Sequence, residues 1–143
     1  MMDETAYRQI SSATFPGACP FEKSILSGCA ACSRAERHNI AEREVVACND
    51  KEALARCIVL RDLLRHNFTF ALGRPHIDGP LPHAQEMRMQ CGGLKGLQFS
   101  LDASDEARDV AALVVMAQQK FGELADFPYS LIVRRANIVY KGR

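Results

Sequence analysis

SRAERHNIAEREVVAC, residues 33–48, is the stretch on which the fold turns. Ser33-Arg34-Ala35-Glu36 fits the S-x-x-E capping box, in which a hydroxyl and a carboxylate each satisfy an otherwise orphaned backbone N–H. Read this way, a helix opens at Arg34 and runs to about Val46. The same signal recurs at Asn49-Asp50-Lys51-Glu52, ahead of Leu54, Cys57, Ile58, Leu64 and Phe68 at helical spacing. That second helix is predicted to end near Gly73, a residue suited to the left-handed C′ position.

Outward from this stretch, a turn of helix is expected over Phe21 to Leu26, between Pro20 and Gly28. Residues 1–18, with the breaker pair Pro16-Gly17, read as an irregular arm, and residues 19–143 as one cysteine-rich domain. The Pro/Gly-rich stretch 73–82 reads as a loop. A third helix opens at Pro82 and sets Ala84, Met87, Cys91 and Leu94 on one face, with Gly92 and Gly93 weakening it just beyond. A fourth has Asp105 and Glu106 in its first turn and a stripe of Ala107, Val110, Ala111, Val114, Ala117, Phe121 and Leu124. The tail carries two β-branched runs, Leu131–Val133 and Ile138–Tyr140, and reads as a small hairpin, with a last helix from Pro128 as the alternative. The predicted fold is mainly α: a compact bundle of about four helices with an N-terminal cysteine-rich loop and a short C-terminal β-hairpin.

At 143 residues and 48% hydrophobic content, the chain can build a core without covalent staples. Its first thirty residues contain no apolar run of signal-peptide or membrane-spanning length, so a cytoplasmic protein with no membrane partner is expected. Lys plus Arg number 18 against 17 Asp plus Glu, which is not the basic excess of a nucleic-acid binder.

The six cysteines therefore need another reason. In a reducing compartment, clustered thiols more often mark a metal, a cluster or a redox couple than a disulfide framework. Cys19, Cys29, Cys32 and Cys48 give the set C-x9-C-x2-C-x15-C. Cys29 and Cys32 precede the first capping box and Cys48 the second, so three thiols would gather at helix N-termini. Backbone N–H groups there favour an anionic cluster and lower thiolate pKa values. Cys19 is followed by Pro20, which removes a competing N–H beside the ligand. Cys57 and Cys91 sit on apolar helix faces and read first as core. They are the substitutes for the fourth ligand: Cys91, because Gly92 and Gly93 let a backbone approach closely, and then Cys57.

This spacing matches neither a ferredoxin run nor a zinc ribbon with its second C-x2-C. His76, Asp78 and His83 could hold a metal only through a loop that reads more simply as solvated. No phosphate loop, dinucleotide fingerprint, nucleophile elbow or H-E-x-x-H occurs, and no substrate pocket is recognisable. The expectation is an iron–sulfur protein, with [4Fe–4S] preferred over [2Fe–2S], acting in electron transfer or redox sensing for a redox partner protein rather than as a stand-alone enzyme. The alternatives are a zinc-stabilised structural adaptor and a thiol–disulfide oxidoreductase using Cys29 and Cys32.

Overall fold

The stretch 33–48 folds as a β-hairpin, not a helix, in the computed structural model, which describes residues 17–71, 73 and 79–140. Strands β1 (Gly17–Ala18), β2 (Ala35–Ile40) and β3 (Arg43–Cys48) form an antiparallel sheet in the order β1-β3-β2. Ala35 pairs with Cys48 and Ile40 with Arg43, so Ala41 and Glu42 alone make the turn. Both take positive φ, 50° and 66°, as a two-residue turn matched to strand twist demands. Neither is Gly or Asn, so the turn carries no flag in the sequence.

Val45 and Val46 are β-branched and fully buried in β3, and that burial outweighs the local capping signal. The residues of the supposed box are engaged elsewhere. Ser33 donates from its backbone N–H and its Oγ to Asp109 Oδ1, at 3.0 and 3.1 Å. Glu36 accepts from Asn49 Nδ2 at 2.9 Å.

Helix α1 (Glu22–Ser27) ends on Gly28 in the left-handed conformation. Helix α2 (Lys51–Ala71) is capped by Asp50, whose Oδ1 accepts from the N–H groups of Glu52 and Ala53 at 3.0 and 3.1 Å. The predicted second helix is thus present, with its cap one residue later than Asn49. Its buried face runs Ala53, Cys57, Leu60, Leu64 and Phe68.

The third predicted helix does not stop at its glycines. Helix α3 (His83–Met87) passes through a π-helical turn, Arg88–Gly92, into α4 (Gly93–Asp102). The glycines serve packing: a Cβ on Gly92 would lie 2.8 Å from Ala136 Cβ, and one on Gly96 would lie 2.6 Å from the Ile132 carbonyl oxygen. Helix α5 (Val110–Phe121) begins later than predicted, because Asp105 accepts an ion pair from Arg135, with Nη2 at 2.8 Å, instead of opening a helix.

The predicted C-terminal hairpin is a helix, α6 (Tyr129–Val139), starting after Pro128. Tyr129, Ile132, Val133 and Ala136 are buried, spaced as one helical face, and this burial against α4 overrides the strand preference of the β-branched residues. The fold is accordingly a helical layer joined to a small antiparallel sheet, and the sheet lies in the cysteine-bearing half rather than at the C-terminus. Of the arm predicted over residues 1–18, Gly17 and Ala18 form β1 and the rest lies outside the described residues. No helix among the described residues is long and apolar enough to cross a membrane.

Candidate functional site

β3 is the central strand, and its last residue, Cys48, pairs with Gly17 on one side and Ala35 on the other. Side chains alternate along a strand, so Cys19, two residues beyond Gly17, belongs to the same sheet face as Cys48. The Cys19 N–H donates to the Val46 carbonyl at 3.0 Å, which fixes that register. Cys32 lies three residues before Ala35, where the chain enters β2. It is held from behind: the Ala31 N–H donates to the Ala107 carbonyl at 3.1 Å, and the Val110 N–H to the Ala31 carbonyl at 2.9 Å. Helix α2 closes the site, presenting Ala53 and Cys57 one turn apart on the face it buries.

Cys19, Cys32, Cys48 and Cys57 thereby line one small cavity, with Phe21, Ile25, Ala53 and Val110 as its apolar wall and Arg34 beside them. All four are free thiols; Cys48 and Cys57 are buried, while Cys19 and Cys32 are partly exposed. Burial pushes the Cys19 thiol from 9.0 up to about 12, and the neighbouring Cys32 and Cys48 push the same way. Burial, followed by the charges of Cys19, Cys32 and Cys48, does the same to Cys57, also to about 12. Cys32 is raised too, chiefly by burial, with Asp109 and Cys48 adding to it. The thiols are thus close enough to feel one another's charge. Among the described residues, no group of three or more His, Cys, Asp or Glu side chains is drawn together closely enough to hold a metal ion.

At Cys32 the expected lowering of the thiol pKa is reversed, because burial outweighs the backbone donors around it. Two keep a place near a helix start: Cys48, directly ahead of α2, and Cys32, whose thiol takes a backbone hydrogen bond from Ala111 in the first turn of α5. The Cys48 Sγ–H donates to the Asp50 carbonyl at 3.3 Å. Arg34 Nε lies 3.5 Å from Asp50 Oδ2, so a cation stands at the cavity and its own pairing is loose.

Cys29 is not in this group. It forms a disulfide with Cys91, with the Cα atoms 5.9 Å apart. The chain from Ala30 to Ala31 is extended against Ala107, and residues three apart in extended chain point to opposite sides. Hence the C-x2-C pair is split between two structures: Cys32 faces the thiol cavity and Cys29 faces the π-helical turn. Of the four residues singled out by spacing, the fold brings together Cys19, Cys32 and Cys48; the fourth wall position is Cys57, one of the two substitutes, and the other substitute, Cys91, is bonded to Cys29. Cys57 was masked by its place on an apolar stripe. Its separation from Cys48 by an N-cap and two helical turns is the only hint the sequence offers. His83 is the first residue of α3, while His76 and Asp78 lie outside the described residues.

Four free thiols from four separate segments thus face one small, mostly apolar cavity. No protein-family model matches the chain, and no curated protein or solved structure shows significant similarity to it.

Proposed function

We propose that the protein binds an iron–sulfur cluster on Cys19, Cys32, Cys48 and Cys57 and serves a partner protein in electron transfer or redox sensing. The observation carrying this reading is the convergence of four free thiols on one cavity. The four reach it from separate places in the chain: just after β1, the entry to β2, the end of β3 and α2.

Thiols that stay protonated to about pH 12 are poor nucleophiles at neutrality, which weighs against Cys19 or Cys57 as a catalytic thiol. The same thiols become ligands once iron displaces their protons. Four thiolates around a cluster leave net negative charge, and Arg34 at the cavity compensates part of it. A single zinc ion, with Zn–S near 2.3 Å, draws its four sulfurs to about 4 Å from one another. In a [4Fe–4S] core each thiolate sits on its own iron, so the sulfurs stand wider apart.

The test is iron, sulfide and zinc content with a visible spectrum on protein purified without oxygen, for the wild type and six Cys→Ser variants. Matching iron and sulfide with broad absorption near 400 nm is expected in the wild type, Cys29→Ser and Cys91→Ser. Loss of at least half of the iron is expected for serine at 19, 32, 48 or 57. Stoichiometric zinc in colourless protein would make the same four residues a structural zinc site. Loss of iron in Cys29→Ser but not in Cys57→Ser would return the ligand set to the C-x2-C pair.

A further inference from the structure

We propose that Cys29–Cys91 is an exchange disulfide: it takes the electron pair of a partner protein's dithiol and leaves that partner with a disulfide bond. The reaction uses sulfur and hydroxyl groups of this chain alone and is independent of what the thiol cavity holds.

The cross-link is not needed to keep its two segments together. Helix α1 is fixed to the hairpin: the Val46 N–H donates to Glu22 Oε2 at 2.7 Å, and Arg37 Nη2 donates to the Ile25 carbonyl at 2.8 Å. It is also fixed to the π-helical turn beside Cys91, because Ser24 donates from its N–H and its Oγ to Gln90 Oε1, both at 3.2 Å. Gln90 in turn donates from Nε2 to Glu86 at 2.6 Å, and Arg61 closes the chain on Glu86 at 2.9 Å. With both ends held by this network, the S–S bond can open and re-form without its two halves drifting apart. A π-turn interrupting a helix is also a frequent mark of a functional position, and Cys91 lies within this one.

Access to the bond is one-sided. Cys91 is 1% exposed, whereas Cys29 is partly exposed and follows Ser27 and Gly28, both exposed. The space in front of Gly28 is open: apart from its chain neighbours, no heavy atom lies within 4 Å of where a Cβ would stand. An outside sulfur therefore meets Cys29 Sγ, and Cys91 is the sulfur that leaves.

The surroundings suit the reduced pair. Ser27 Oγ lies 3.0 Å from the Ser24 carbonyl and 3.9 Å from Cys91 Sγ, so the proton it gives the carbonyl can turn to a thiolate on Cys91. Ser24 Oγ stands 3.8 Å from the same sulfur. The Ser24 carbonyl, 3.5 Å from Cys29 Sγ, can then accept from the Cys29 thiol. Groups that stabilise the reduced form of a dithiol pair make its disulfide an oxidant.

Exchange begins when a partner thiol, losing its proton, attacks Cys29 Sγ. The Cys29–Cys91 bond breaks, a mixed disulfide forms on Cys29, and Cys91 leaves as a thiolate that takes a proton from solvent. The partner's second thiol, also losing its proton, attacks the partner sulfur of the mixed disulfide. The partner disulfide forms, and Cys29 leaves and is protonated in turn, so two protons and one electron pair have passed from the partner dithiol to the Cys29–Cys91 pair. A low-molecular-weight disulfide re-oxidises the pair by the same exchange: Cys29 attacks it, Cys91 resolves the mixed disulfide, and two small thiols are released.

The experiment gives a catalytic amount of full-length protein to a reduced synthetic peptide with two cysteines, with hydroxyethyl disulfide as terminal oxidant, and follows peptide disulfide formation by chromatography after an acid quench. At least ten-fold acceleration over peptide and oxidant alone is expected, with the same rate after the protein is treated with a chelator. Cys29→Ser and Cys91→Ser should each return the rate to background while far-UV circular dichroism stays that of the wild type. Where either variant fails to fold, the wild type decides alone: quenched during exchange with a single-cysteine peptide thiol and read by mass spectrometry, it should carry the peptide on Cys29. A background rate in the wild type overturns the proposal, as does a peptide adduct on another cysteine in place of Cys29. A rate lost on chelation also overturns it, by moving the activity to a metal.

Discussion

The two halves of this molecule are held together by different means. The helical layer formed by α4, α5 and α6 depends on apolar faces brought into close approach. Leu97, Val114, Ile132 and Ala136 are buried, and Gly92 and Gly96 let backbone touch backbone. The sheet half depends on short strands, side chain-to-backbone hydrogen bonds and a cavity walled by thiols. The first half is closed by apolar contact throughout, whereas the second surrounds a small space walled in part by four free thiols. A metal centre there would contribute to folding as well as to chemistry, since a bound cluster stabilises the only state that assembles its site.

Among point substitutions, the largest effect that separates the halves is expected from Leu97→Ala, which opens a cavity in the helical layer and costs about 2–5 kcal/mol. Chemical denaturation should show this loss equally in metal-loaded and metal-free protein, and a loss confined to one form would mean that the halves are coupled. Alkaline pH acts on the other half, with a bound at least as large. The folded metal-free protein keeps protons on Cys19 and Cys57 up to about pH 12, whereas the unfolded chain releases them near 9.0. Stability is therefore fully present below about pH 9 and falls between about 9 and 12, by at most about 1.4 kcal/mol per pH unit for each thiol. Tyr129, raised by burial, acts with the same sign but in both forms. The difference between metal-free and metal-loaded unfolding curves thus isolates the thiols, and a difference that stays flat from about pH 8 to 11 would remove them as titrating ligands. Smaller again is Gly96→Ala, in which the new methyl group meets the Ile132 carbonyl and costs about 1–3 kcal/mol by overpacking. Iron content per folded molecule should not change, and a change would make the site sensitive to the packing of the helical layer.

The same division explains what the sequence disclosed. Helix α2 and the stripe of α5 were legible because each repeats one apolar face over several turns, a signal that accumulates with length. The hairpin was not, because Ser33-x-x-Glu36 imitates a cap and the turn at Ala41-Glu42 uses left-handed residues of the wrong type to be noticed. Helix α6 was obscured by its β-branched residues, and only its burial against α4 decides the matter. For the thiols, mistaking a strand for a helix had a direct cost: Cys29 and Cys32 would share a site at a helix start but part company in extended chain. The fourth thiol of the cavity stands on a helix face where sequence alone cannot tell a ligand from core. Proximity of Cys19, Cys32, Cys48 and Cys57 is a property of the sheet order β1-β3-β2, and no linear spacing encodes it.

The smallest expected effect is the most local, and it concerns a side-chain tether joining the halves next to a proposed ligand. Asp109, at the head of α5, accepts from the N–H and Oγ of Ser33, the residue after Cys32. Burial alone would push its carboxyl up, but the Ser33 donors and the first amides of α5 outweigh this and hold it below its ordinary value of 3.8. The tether's contribution is therefore present above that value and fades as the pH falls through and below it. Asp109→Ala removes it at neutral pH, while the paired bonds between Ala31 and the 107–110 segment remain. The loss of stability should be only about 1 kcal/mol. Iron should still bind, but Cys32 would be less firmly held, so bleaching of the visible absorption by a chelator should run several-fold faster than in wild type, and Asp109→Asn, which keeps one acceptor, should fall between the two. Equal bleaching rates in all three proteins would show that Cys32 is positioned by the Ala31 backbone pairing alone, and the two halves would then meet at the site through main chain rather than through side chains.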